Sequence, residues 1–343
     1  VGCVLVKNNQ IIGQGAHLKA GEAHAEVFAL LEAGADAKDA DVYVTLEPCS
    51  HHGRTPPCVD ALIVAGVKRV VIAMQDPNPL VASVGIQRLQ AQGIRVETGL
   101  MAKEAQALNP GFISRMTHGL PYVRSKIAAS LDGRTALKNG RSSWITGESA
   151  RHDVQHWRAQ SCAIITGIGS VLTDNPSMNV RLENVRRQPL RVIVDSRLQT
   201  PVDCKMLDAT TMQASPVIIV YASDVSNNAD SLNATGAELL YLPDTNGQVD
   251  LVALLSHLAQ RGINEVLLEA GQGLNGAFLH ANLVDEFIFY YAPKLMGSDA
   301  KAMFLMPELT EMQQVTDLQI IEVRQFGQDV RLRAKPIKLS TNY

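Results

Sequence analysis

Apolar runs of strand length alternate with stretches of helical period along the whole chain, the pattern of an α/β protein. Residues 1–6 and 11–15 flank the turn-forming Lys7-Asn8-Asn9-Gln10, which predicts a β-hairpin. A helix over about residues 23–33 follows, then a strand at 42–46 and a Pro/His/Gly-rich loop from 47 to 57. A helix at about 59–65 leads into a strand at 69–73, and a helix at about 84–92 into a strand at 94–97. Asn109-Pro110-Gly111 and His118-Gly119-Leu120-Pro121 carry helix-ending signals, which place a domain boundary near 115–121 and divide the chain into 1–118 and 119–343. The alternation then restarts, with strands expected at 122–128, 163–166, 190–194, 217–221, 265–269 and 286–291. Helices are expected near 148–158 and 251–261, and the polar residues 222–250 read as a surface excursion. There is no internal repeat and no low-complexity tract.

Composition narrows the class. A length of 343 residues suits about two domains, and 46% hydrophobic against 19% charged residues describes a core-forming chain. With 31 basic and 34 acidic residues the formal charge is −3, so the chain carries no electrostatic footprint for nucleic acid or an anionic membrane. No apolar run approaches the roughly 18 residues of a membrane span. Five cysteines do not make a disulfide framework in a chain this long, and a reducing compartment, the cytoplasm, is expected. The chain opens on Val1-Gly2-Cys3-Val4-Leu5-Val6 with no Met and no polar lead-in, so a preceding segment is expected.

Three soft ligands stand out: His24 in H-A-E-V, Cys49 after Glu47-Pro48, and Cys58 after Pro56-Pro57. One imidazole and two thiolates suit a catalytic zinc that keeps a fourth position for water, whose pKa falls from near 16 to about 7. Glu26, two residues past His24, is placed to flank that water at a helix N-terminus and move protons, the arrangement of nucleobase deaminases. The eight residues between Cys49 and Cys58 depart from the C-x-x-C spacing of that group. The same residues also suit a closed structural zinc site with His51 or His52 as fourth ligand, which would make the chain a binding module.

H-A-E-V followed by T-L-E-P-C-S-H-H-G-R-T-P-P-C resembles the deaminase half of the bifunctional riboflavin-pathway enzymes, the diaminohydroxyphosphoribosylaminopyrimidine deaminase / 5-amino-6-(5-phosphoribosylamino)uracil reductases. The long intercysteine loop is characteristic of that family, and the resemblance runs through both halves. It implies a cytidine-deaminase-like three-layer α/β/α domain in which His24, Cys49 and Cys58 bind zinc and Glu26 shuttles protons. It also implies His17, His51, Arg54, Asp76 and Asn78 as substrate contacts, Arg54 being suited to grip the ribose phosphate.

The second half contains Gly271-Gln272-Gly273-Leu274-Asn275-Gly276, a literal G-x-G-x-x-G that comes too late in its domain for a Rossmann unit. What remains is backbone N–H groups and a helix N-terminus suited to a diphosphate, or else glycines needed for packing. K-I-A-A-S-L-D-G-R-T, S-S-W-I-T-G, S-V-L-T-D-N-P, V-D-S and L-E-A-G resemble the reductase half of the same family, which is dihydrofolate-reductase-like. Carried over, NADPH meets Ala128, Trp144, Ser170, Asp174, Ser196, Gly271, Gln272, Gly273, Leu274, Asn275, Gly276 and Ala277. The substrate meets Ser142, Arg158, Met178, Arg181 and Glu269, with Lys126 orienting ribose oxygens. The resemblance thus implies hydrolytic deamination of a small pyrimidine ribotide, then NADPH reduction of its ribosyl to a ribityl chain. No nucleic-acid or membrane partner is expected, and a homo-oligomer, dimer or tetramer, is.

Overall fold

The computed structural model describes residues 1–18, 21–51, 56–78, 82–142 and 145–337. Strands β1 (Gly2–Lys7) and β2 (Gln10–Ala16) pair antiparallel across Asn8 and Asn9, whose φ values of 51° and 61° make the primed turn that matches strand twist. The expected hairpin is therefore present. Helix α1 (Ala25–Ala33), β3 (Asp41–Val44), α2 (Cys58–Ala65), β4 (Arg69–Ile72), α3 (Val84–Ala91) and β5 (Arg95–Thr98) complete a five-stranded sheet of order β2-β1-β3-β4-β5. β3, β4 and β5 run parallel. Strand alternation puts Cys3, Leu5, Val42, Val44, Val70 and Ile72 on one face, packed on Ala25, Ala29, Val59, Leu62, Ile86 and Leu89 of the three helices. Helix α1 lies close against β2 because Gly13 and Gly15 lack side chains. A Cβ at either would stand 2.2 Å from the Ala29 carbonyl oxygen or 2.1 Å from that of Ala25. That contact sets the entry of α1, and with it His24.

Helices α4 (Ala102–Leu108) and α5 (Pro110–His118) close this unit, Val1–His118. Ala105 and Leu108 of α4 line a groove with Val4, Tyr43 and Val71 on the opposite sheet face. Asn109-Pro110-Gly111 does more than end a helix. Pro110 opens α5 at the position where a missing N–H costs nothing.

The second unit, Gly119–Tyr343, is built on a nine-stranded sheet. Its elements are β6 (Tyr122–Ser130), β7 (Arg134–Ala136), α6 (Glu148–Gln160), β8 (Ala163–Gly167), α7 (Ile168–Asp174), β9 (Leu190–Val194), α8 (Ala209–Met212) and β10 (Val217–Tyr221). These are followed by α9 (Ala229–Ala234), β11 (Glu238–Tyr241), α10 (Leu251–Gln260), β12 (Glu265–Leu268), α11 (Gln272–His280), β13 (Glu286–Ala292), β14 (Lys301–Ala302), β15 (Leu318–Phe326) and β16 (Asp329–Pro336). The order is β11-β10-β9-β8-β12-β6-β13-β16-β15, parallel from β11 to β13, with β16 antiparallel to both β13 and β15. Both faces are buried in separate cores, one holding Ile165, Val192 and Val266 and the other Ile164, Ile193 and Leu267. This is why the central strands read as unbroken apolar runs.

Two expectations need correction here. Residues 222–250 are more than a surface excursion: they hold α9 and the edge strand β11, and they bury Leu232, Ala237 and Val249. The hairpin β15–β16 was not foreseen. Its inner strand alternates Val330, Leu332 and Ala334 with Arg331, Arg333 and Lys335, a period-2 signal that was overlooked, and the charge of Arg331 and Arg333 is met by Asp153, Glu286 and Glu322.

Candidate active sites

His24 stands at the N-cap of α1 in extended conformation (φ −76°, ψ 165°), and Glu26 lies in the helix's first turn. Cys58 is the first residue of α2, fixed by Pro57 before it, and Cys49 follows the end of β3. The fold brings the three together. His24 Nδ1 lies 3.1 Å from Cys58 Sγ and 3.5 Å from Cys49 Sγ, and the ligand atoms of all three residues lie within 4.8 Å of one another. A tetrahedral zinc, at about 2.3 Å from sulfur and about 2.0 Å from nitrogen, spaces its ligand atoms roughly 3.5 Å apart, so this donor set fits the ion. The two thiols share one interaction, in which the Cys58 side chain and N–H draw the Cys49 thiol down while Cys58 is pushed up, so a bound cation would complete the deprotonation of the pair.

Glu26 is 3% exposed. Burial pushes its carboxyl above the usual carboxylate range, and the Cys49 charge adds to the shift. A buried carboxyl thus stands beside the metal ligands without being one of the cluster. The His17 ring meets that of His24 edge-on at 5.0 Å, and His17 Nδ1 lies 3.1 Å from the Ala23 carbonyl. Asp76 Oδ1 accepts the Asn78 N–H at 2.9 Å, which fixes a turn after β4, and His51 is close enough to act electrostatically on Asp76. Arg54 and His52 lie outside the described residues.

One residue of this site escaped the sequence reading. Glu47, 5% exposed, receives the backbone N–H groups of Asp76 and Ser83 on one oxygen and those of Gly85 and Ile86 on the other, at 3.0–3.3 Å. The available signal was an acid wedged between an apolar strand and Pro48-Cys49, where a free carboxylate would not be tolerated.

In the second unit, a cavity of about 910 Å³ runs along the carboxyl ends of β6, β8, β9 and β12, the usual ligand position of a parallel sheet. Lys126, Ala128, Ser142, Ser170, Asp174, Met178, Ser196, Glu269, Gly271, Gln272, Gly273, Leu274 and Ala277 all line it. Gly271 and Gly273, at the N-terminus of α11, have open space where a Cβ would stand, so the backbone presents its N–H groups to the cavity. That cradle fits a cofactor diphosphate.

Other predicted contacts are placed differently. Gly276 packs: a Cβ there would sit 2.0 Å from the Leu305 carbonyl oxygen. Asn275 is buried, donating to the Ala270 carbonyl and sharing a hydrogen bond with Ser125. Arg158 is buried with its guanidinium on Glu269 (Nε to Oε1 2.5 Å, Nη2 to Oε2 3.1 Å) and on the Asn179 carbonyl. Arg181 is exposed outside the cavity lining, and Trp144 lies outside the described residues. Lys126 Nζ completes the cluster at 2.9 Å from Glu269 Oε2. Burial acts to raise the Glu269 carboxyl, but Arg158 and Lys126 outweigh it and hold the group well below the usual carboxylate range. Asp195, at the end of β9, also went unread. It lines the same cavity, and its Oδ2 accepts both the N–H and the hydroxyl of Thr200 at 2.7 Å, which fixes the carboxylate in place.

Fold and sites together define a two-unit enzyme, a zinc-type deaminase unit followed by a reductase unit. The family described as "Cytidine and deoxycytidylate deaminase zinc-binding region" matches residues 1–74, and "RibD C-terminal domain" matches residues 121–332. Riboflavin biosynthesis protein RibD of Escherichia coli (strain K12) is 47% identical over 345 residues, covering 97% of this chain and 92% of that protein. The solved structure of Acinetobacter baumannii RibD, form 1, superposes with a TM-score of 0.89 at 47% identity, over 98% of this chain and 92% of that one. A diaminohydroxyphosphoribosylaminopyrimidine deaminase/5-amino-6-(5-phosphoribosylamino)uracil reductase from Thermotoga maritima does so at 0.85 and 30% identity, over 98% and 91%. The chain belongs to the RibD family of bifunctional riboflavin-biosynthesis deaminase–reductases.

Proposed function

We propose that the first unit hydrolytically deaminates a diaminopyrimidine ribotide and that the second reduces its ribosyl chain to ribityl with NADPH. The observation that carries this reading is the His24/Cys49/Cys58 cluster with the buried carboxyl of Glu26 beside it. His24, Cys49 and Cys58 would hold one zinc, which would supply the Lewis acidity that makes water a nucleophile near neutral pH. Glu26 takes the proton of the attacking water and delivers it to the departing amine nitrogen, a role its raised pKa suits. His17, His51, Asp76 and Asn78 surround the ring, and Arg54 takes the phosphate.

The second unit's cavity would hold NADPH, which would supply a hydride for C1′ of the ring-opened imine, with the proton for the amine nitrogen coming from solvent. The chain's residues position the partners: the Gly271–Gly273 backbone holds the diphosphate, Ser196, Ser170 and Asp174 border the nucleotide, and Lys126 orients ribose oxygens. Arg158 acts through Glu269, to which it is locked, instead of gripping phosphate directly. Effective concentration and exclusion of water supply much of the acceleration. A homo-oligomer in the cytoplasm is the expected state. Exposed Leu318, Ile320, Ile321 and Val323 on the edge strand β15 support pairing.

The test supplies the diaminopyrimidine ribotide with and without NADPH. Ammonia is expected in both cases, and NADPH consumption only after deamination. Glu26→Ala is expected to cut ammonia release by roughly 100-fold or more, while reduction of the preformed uracil ribotide continues. Joint loss of both activities would contradict two independent sites.

A further inference from the structure

We infer that Glu47 is the positioning residue that registers the substrate-side loop of the deaminase unit against its metal corner, a role that rests on the deaminase reading above. Glu47 lies two residues before Cys49, and its backbone N–H donates to the Met74 carbonyl at 3.0 Å, tying the metal corner to the end of β4. From that anchored position its carboxylate reaches both ends of the segment that follows β4. At the near end it accepts the Asp76 N–H at 3.2 Å. At the far end it accepts those of Ser83, Gly85 and Ile86 at 3.1, 3.0 and 3.3 Å. One carboxylate thus closes the loop that carries Asp76 and Asn78, the two substrate contacts proposed after β4.

The same carboxylate caps α3. Ser83, at the helix's N-cap, has φ 65° and makes no side-chain cap, so the helix takes its capping acid from another element. A negative charge there also meets the positive end of the helix dipole. The approach is close by construction: a Cβ on Gly85 would stand 2.4 Å from the Pro48 carbonyl oxygen, so only glycine lets α3 reach the metal corner. From α3, Arg88 Nη1 donates to the Ser50 carbonyl at 2.9 Å, a second staple onto the segment after Cys49. A group that only filled space would not need four donors drawn from two ends of one loop.

The test measures ammonia release against ribotide concentration for the wild type, Glu47→Gln, Glu47→Asp, Asn78→Ala and the Glu47→Gln/Asn78→Ala double variant, with zinc per chain. Glu47→Gln keeps the shape but turns an amide NH₂ toward two N–H donors. It should raise KM roughly tenfold with kcat within about threefold, a loss equivalent to about one hydrogen bond. Zinc content should stay at the wild-type value, and the double variant should be no worse than Asn78→Ala alone, because the two act through one loop. Amide exchange at Asp76, Ser83, Gly85 and Ile86 should quicken in Glu47→Gln, independently of activity. Should Glu47→Gln not accumulate as folded chain, Glu47→Asp, which keeps the charge with a shorter reach, is read in the same way. Unchanged KM and exchange, additive losses in the double variant, or loss of zinc would each overturn the inference. A wild-type chain that binds zinc but releases no ammonia would overturn the deaminase reading instead, with the exchange result still deciding whether the clamp exists.

Discussion

At the scale of single residues, the two candidate sites use buried charge in opposite ways. Burial raises the Glu26 carboxyl above the usual carboxylate range, whereas two cations hold Glu269 below it. Removing the Glu269 charge leaves Lys126 and Arg158 facing each other in a buried site, and breaking such a cluster costs about 3–5 kcal/mol. Glu269→Gln is therefore expected to destabilise the second unit by about that amount at neutral pH. A depressed folded pKa contributes stability in full above the unfolded value, near 4.3 for glutamate, and loses it as pH falls through the folded value. The gap between wild type and variant should thus persist down to about pH 4.5 and narrow only in stronger acid. Urea unfolding followed by tryptophan fluorescence checks this, because Trp144 and Trp157 both belong to the second unit. A gap that closes near pH 6 would contradict the assignment. At this scale the ligand triad and Glu26 were legible because metal and proton chemistry demand particular side chains. Glu47 and the Arg158–Glu269 pairing were not, because their partners are backbone groups or residues far away in sequence.

At the scale of elements, α11 separates two uses of glycine within three residues. Gly276 faces the Leu305 carbonyl, and Gly273 faces open space. Gly276→Ala forces a shift of backbone and should cost about 1–3 kcal/mol. Gly273→Ala should leave stability unchanged or raise it by up to about 1 kcal/mol, since alanine favours a helix, yet weaken NADPH binding by crowding the cradle. Thermal unfolding and calorimetric titration with NADPH separate the two, and equal effects of both variants would refute the distinction. The central strands were legible from their apolar runs. The β16 strand was legible in its alternation of Val330, Leu332 and Ala334 with basic residues but was not read, whereas its pairing of Arg333 with Glu286 and Glu322 needed the fold; Pro110 read as a helix-breaker although the same chemistry lets it start one.

At the scale of the whole molecule, each of the two units has its own sheet and its own core, and each carries its own site. Stripping zinc with a chelator is expected to abolish ammonia release while NADPH oxidation with preformed uracil ribotide continues. Readdition of zinc should restore the first step, and loss of both steps on chelation would show that the units do not work independently.

The chain's own order of residues determined the α/β class, the two-part division, the metal-binding trio and the glycine turn. These depend on periodicity and on side-chain chemistry that few residue types can supply. Only the tertiary structure decided which glycines face a ligand and which face a carbonyl, and where Arg158 spends its charge. It also decided that Glu47 clasps a loop some thirty to forty positions away. Such outcomes depend on distances between segments remote in sequence, and no local pattern encodes a distance.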